Sequence, residues 1–142
     1  MKKSNEQKKI FGYHLALDLY CCNPDKIRRI EYGYSFLNDI PKVIETDIQS
    51  PPFIVYKKNI GFAGWIPVVD SGISLYVFFP NNFVSVDIYT CKKFNPLEIK
   101  SFTINLFQPQ KIREYYFLRG KEYVPPMELL KIKENIKCQQ KK

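Results

Sequence analysis

The chain has 142 residues, a length for one domain that buries a core without disulfide or metal staples. At 45% hydrophobic and 25% charged residues it is not a disordered chain, and no apolar run approaches the roughly 20 residues of a membrane helix, so a soluble protein with no membrane partner is expected. The formal charge of +8 sits at the ends: four lysines and one glutamate in residues 1–10 (net +3), seven basic and three acidic residues in 119–142 (net +4), and 11 against 10 in the body (net +1), which argues for solvating tails and against a specific nucleic-acid partner.

Residues 1–10 read as a basic N-terminal tail without the apolar stretch of a signal peptide, and a cytoplasmic protein is expected. Residues 11–22 alternate, with Tyr13, Leu15, Leu17, Leu19 and Cys21 on one face and His14, Ala16, Asp18 and Tyr20 on the other, the pattern of a half-buried strand. Asn23-Pro24 supplies a cap and a first helical residue, and Ile27, Ile30, Tyr34, Leu37 and Ile40 recur at helical spacing, so a helix is predicted over 24–40, stopping near Pro41. Strands are predicted at Val43–Ile48, Phe53–Lys57, Trp65–Asp70, Ile73–Phe79 and Phe83–Cys91, with Gly61–Gly64 read as a break. Asn95-Pro96 opens a second helix to about residue 106, and a last strand runs over 111–118. Pro125-Pro126 then separates a lysine-rich helical tail, placed at 124–142. The sum is an α+β two-layer sandwich, an antiparallel sheet with two helices on one face of a domain spanning 11–123. A second protomer is a good candidate to cover the other sheet face, in a four-layer or extended-sheet assembly.

Local motifs for chemistry are sparse. Cys21, Cys22, Cys91 and Cys138 contain no CxxC pair and are expected as free thiols, while the single histidine, His14, excludes a multi-histidine metal site. There is no phosphate-binding glycine loop. Asp70-Ser71-Gly72, between two apolar runs, consists of turn residues and on local grounds is a turn.

Three segments add a resemblance. The run FGYHLALDLYCCNP at 11–24 resembles the first strand of the bacterial S-adenosylmethionine decarboxylases, which show Gly-x-His-Leu-x-x-Asp-x-Tyr-x-Cys-Asn-Pro there. VSVDIYTCKKF at 84–94 resembles their strand ending in Asp-x-Tyr/Phe-Thr-Cys, and Arg119-Gly120-Lys121-Glu122-Tyr123 their Arg-Gly-x-x-Tyr element. The resemblance implies a proenzyme that cuts itself ahead of a serine, which becomes a pyruvoyl cofactor. The pyruvoyl carbonyl condenses with a small-molecule amine substrate and takes up electrons as carbon dioxide leaves, in polyamine (spermidine) biosynthesis. Carried over, Ser71 is the pyruvoyl precursor, the cut falls between Asp70 and Ser71, and Cys91 is the proton donor. The resemblance also implies a homodimer.

The processing apparatus departs from the family. Gly72 replaces the histidine of the Glu-Ser-His triplet and Asp70 its glutamate. Tyr76 stands where a second histidine assists the elimination, and is a possible substitute for it. Ala63-Gly64 stands where a Ser-Gly assists the acyl shift. The stretch Tyr76–Asn82 lacks the carboxylate that holds the substrate ribose, which suits S-adenosylmethionine less than another amino acid. The alternative is an unprocessed, inactive family member that serves as a binding partner. No metal is implied.

Overall fold

Period-two alternation builds the sheet, and the helices cover one of its faces. The structure, a computed structural model, describes residues 10–69 and 71–121. Its elements are β1 (Gly12–Tyr20), α1 (Pro24–Ile27), α2 (Ile30–Val43), β2 (Phe53–Lys57), β3 (Gly61–Val68), β4 (Ser71–Phe78), β5 (Phe83–Thr90), α3 (Pro96–Phe107) and β6 (Lys111–Arg119). The strands form one antiparallel sheet in the order β2-β3-β4-β5-β1-β6.

The core lies between this sheet and the helices. Leu15, Leu17 and Leu19 of β1, Ile73 and Leu75 of β4, and Val86 and Ile88 of β5 are buried against Phe36, Leu37 and Ile40 of α2 and Ile99 and Phe107 of α3. Each such side chain contributes about 1.5–3 kcal/mol on burial. Asn23 and Asn95 cap α1 and α3, their side chains accepting from the backbone N–H of Asp25 and Leu97, each at 3.0 Å. Gly33 is the close-contact point of α2: a Cβ there would stand 2.5 Å from Phe62 Cε2 of β3.

Several sequence expectations need correction. The helix expected over 24–40 is two helices, because Arg29 is extended (φ −97°, ψ 114°) and starts α2 afresh. Pro41 lies inside the last turn of α2 rather than ending it. Residues Val43–Ile48 are not a strand: Val43 ends the helix and Ile48 makes one isolated bridge, to Val68. Gly61–Gly64 opens β3 instead of breaking the chain. Ser71 and Gly72, expected in a turn, are the first residues of β4, held there by ladder partners on both sides. Cys21, expected on the buried face, is exposed, because its positive φ of 52° ends the alternation and turns Cys22 inward. The expectations for residues 1–9, for Asp70 and for the C-terminal tail lie outside the described residues.

Among the described residues, the second sheet face has no helix on it. Phe53 (66% exposed), Trp65 (49%) and Phe78 (43%) stand on it beside Val55, Tyr76 and Phe117. Among the described residues, no helix is long and apolar enough to cross a membrane.

Candidate active site

One end of the sheet gathers the residues singled out by the sequence. Strands β3 and β4 pair with Val68 opposite Ser71, leaving two residues to join them. On its other side Ser71 pairs with Thr90, the last residue of β5. Thr90 is buried, and its hydroxyl accepts from the Lys92 N–H at 3.0 Å and donates to the Lys92 carbonyl at 3.3 Å. That pair of bonds fixes the turn carrying Cys91, a partly exposed free thiol. Ser71 and Cys91, twenty positions apart in sequence, thus stand at the ends of neighbouring strands.

The Ser71 hydroxyl is buried and makes no hydrogen bond among the described residues. Leaving such a group unsatisfied costs about 1–3 kcal/mol, and exceptions of this kind ask for a role. A hollow of about 460 Å3 flanks the Cys91 turn, between Ile44 and Glu45 on one side and Lys92 to Asn95 on the other. Lys92 Nζ bridges it, donating to the Glu45 carbonyl at 2.8 Å.

The open sheet face at this end is polar. Gly72, Tyr89, His14 and Phe117 form one cross-strand row. His14 Nε2 lies 3.0 Å from Asp87 Oδ1, and Arg119 Nη1 lies 3.4 Å from His14 Nδ1. The Arg119 guanidinium sits over the Tyr89 ring, 5.5 Å from its centroid. Alternation in the sequence places His14 with Asp18 on a polar face, but Asp18 takes a hydroxyl from Ser85 instead, at 3.4 Å. The His14–Asp87 pair is invisible in the sequence because it spans 73 residues and depends on the strand order.

Cys21 and Cys22 belong to the opposite end of β1, on the order of 25–30 Å away by strand length. Burial, with Cys21 adding to it, pushes the Cys22 thiol up to about 12, so Cys22 stays protonated and is a packing residue.

The family model described as S-adenosylmethionine decarboxylase matches residues 13–120. The chain belongs to the S-adenosylmethionine decarboxylase family. It is 31% identical over 116 residues to an S-adenosylmethionine decarboxylase proenzyme of Clostridium botulinum, covering 80% of this chain and 97% of that one. A proenzyme of the same name from a Sulfurihydrogenibium species is 28% identical over 123 residues, covering 84% and 90%. The crystal structure of the adenosylmethionine decarboxylase of Aquifex aeolicus matches with a TM-score of 0.70 at 25% identity, over 83% of this chain and 96% of that one. The α+β fold and the family resemblance expected from sequence are thereby both found.

Against this family, the structure divides the expected processing residues in two. Tyr76 lies five residues along β4 from Ser71, about 16 Å at the strand rise, and alternation places the two on opposite faces. Within one chain they do not meet. Tyr76 instead pairs with Ala63, so the positions expected to carry the family's assisting histidine and serine are cross-strand partners. Here they line an almost wholly apolar hollow of about 220 Å3, with Val55 and Phe78. At Gly72, a Cβ would stand 3.2 Å from the Trp65 indole nitrogen, so Trp65 fills the space over the position of the family's triplet histidine.

Proposed function

We propose that this chain cuts itself between Asp70 and Ser71 and, with the pyruvoyl group so formed, decarboxylates S-adenosylmethionine or another amino acid in polyamine synthesis. One observation carries the reading: a buried serine hydroxyl without a hydrogen-bond partner among the described residues, registered on Thr90 and hence beside Cys91. A hydroxyl with no partner among the described residues is available to attack the carbonyl of the preceding residue, giving an ester whose elimination frees the carboxylate of residue 70 and leaves a dehydroalanine at 71, which water converts to the pyruvoyl group with loss of ammonia. The pyruvoyl group, once formed at position 71, supplies a carbonyl that binds an amine and accepts the electrons of decarboxylation.

The chain's own residues supply the rest. Cys91 Sγ holds the proton delivered to carbon after carbon dioxide leaves, and the Thr90–Lys92 hydrogen bonds keep its turn in place. Tyr76 relays a proton during self-cleavage, from a second copy of the chain. The roughly 16 Å between Tyr76 and Ser71 supports that division, as does the apolar open face bearing Phe53, Trp65 and Phe78. A second copy packed on this face about a twofold axis brings its Tyr76 to the open-face side of the Ser71 end, where the backbone of residue 71 and not its hydroxyl is presented. Without the family's histidines, self-cleavage is slow: a positioned general base is worth about 10²–10⁴-fold.

A carbonyl-reactive hydrazide tests the reading. It is expected to label the fragment beginning at residue 71 in the wild-type protein and nothing in Ser71→Ala. Absence of label in an incubated wild-type sample would overturn the proposal.

A further inference from the structure

We propose that Arg119 receives the α-carboxylate of the amino-acid substrate, presented to it by the Asp87–His14 pair; this rests on the decarboxylase reading above. Arg119 belongs to the edge strand β6, but its side chain does not stay there. Its guanidinium lies over the Tyr89 ring of β5, which itself reaches over Gly12 of β1, the cross-strand partner of Arg119. Gly12 makes room for that ring: a Cβ there would stand 2.5 Å from Tyr89 Oη. Tyr13 pairs with both Thr90 and Leu118, so one step further along β1 Gly12 separates Arg119 from the position of Cys91. The guanidinium is therefore held at the Ser71–Cys91 end of the open face.

The neighbours of Arg119 direct it without consuming it. His14 Nε2 donates to Asp87, which leaves Nδ1 as an acceptor for one Arg119 N–H. The carboxylate of Asp87 is thereby engaged through the imidazole rather than by the arginine itself, and Arg119 forms no ion pair with a carboxylate among the described residues. Its remaining N–H donors are exposed in a fork suited to a carboxylate. The product amine has lost that carboxylate, so an arginine at this place separates substrate from product and favours product release. Arg119 is assigned to substrate contact, and His14 and Asp87 are positioning residues.

The test uses the full chain carrying Ser71→Ala, which removes turnover. S-adenosylmethionine, L-ornithine and L-arginine are titrated against it, each beside its decarboxylated amine. The ring resonances of the single histidine report binding beside Arg119. One acid is expected to bind and shift these resonances. Arg119→Gln is expected to weaken that acid about 10–100-fold, the worth of a charge-assisted hydrogen bond, while leaving its amine unchanged. Arg119→Lys recovers part of the loss, and Asp87→Asn loses less than Arg119→Gln. Equal effects on acid and amine, or none on either, overturn the assignment even where the wild-type chain cleaves itself. A panel in which no acid binds overturns it too, and if the wild-type chain also stays uncut the decarboxylase reading falls with it.

Discussion

At its Ser71 end, β4 keeps a hydroxyl with no hydrogen-bond partner among the described residues, a neighbouring strand that ends at Thr90 ahead of Cys91, and a polar group of Tyr89, His14 and Arg119. Five residues along the same strand, at Tyr76, the sheet presents Ala63, Val55 and Phe78 around an apolar hollow. The first end holds the groups expected to do chemistry on a substrate. The second is where assisting groups for self-cleavage are expected, and there the chain carries neither serine nor histidine. On the proposed function, the positions that assist cofactor formation stand apart on the sheet from those that serve decarboxylation, with Ser71 common to both.

The sharpest way to break this comparison is at Cys91. Cys91→Ala is expected to leave self-cleavage intact and lower decarboxylation by about 10²–10⁴-fold, read as carbon dioxide release from the cleaved protein. A variant that also stops cleavage would merge the two tasks. The opposite end is sharpened by addition. Ala63→Ser with Tyr76→His is expected to raise the rate of fragment appearance by about 10²-fold or more, without changing turnover per cleaved chain. Between the ends, Trp65→Lys places a charge on the open apolar face. Sedimentation is expected to show at least about tenfold weaker self-association, with the helix-covered core untouched, because a lysine must shed its water to be covered by a second copy and the indole no longer anchors that face. The smallest effect is expected at Thr90→Val, which removes the two hydrogen bonds to Lys92. Unfolding by urea should show a loss of about 1–2 kcal/mol.

Much of the fold is legible in the sequence because its signals are local. Alternation in 11–22 and 83–91 locates β1 and β5, and Asn-Pro pairs at 23–24 and 95–96 locate two helix starts. Errors come where tertiary contact overrides a local signal. Gly61–Gly64 looks like a break, yet Gly64 is needed beneath α2, where a Cβ would meet Leu37 Cδ1 at 2.6 Å. Val43–Ile44 looks like the start of a strand, yet the Ile44 N–H bonds back to the Ile40 carbonyl and extends the turn past Pro41. At the site, Ser71 and Cys91 emerge by resemblance, and register then explains their closeness. The proposed roles of Arg119 and Asp87 do not emerge, because a guanidinium stacked on a tyrosine ring that reaches over a glycine leaves no trace in spacing or periodicity.

The intact mass of freshly purified and of incubated protein, taken under denaturing conditions, tests the central claim most directly. The account predicts two fragments, 1–70 and a blocked 71–142, whose share rises with incubation. A single 16.8 kDa species, unchanged after long incubation, would contradict it.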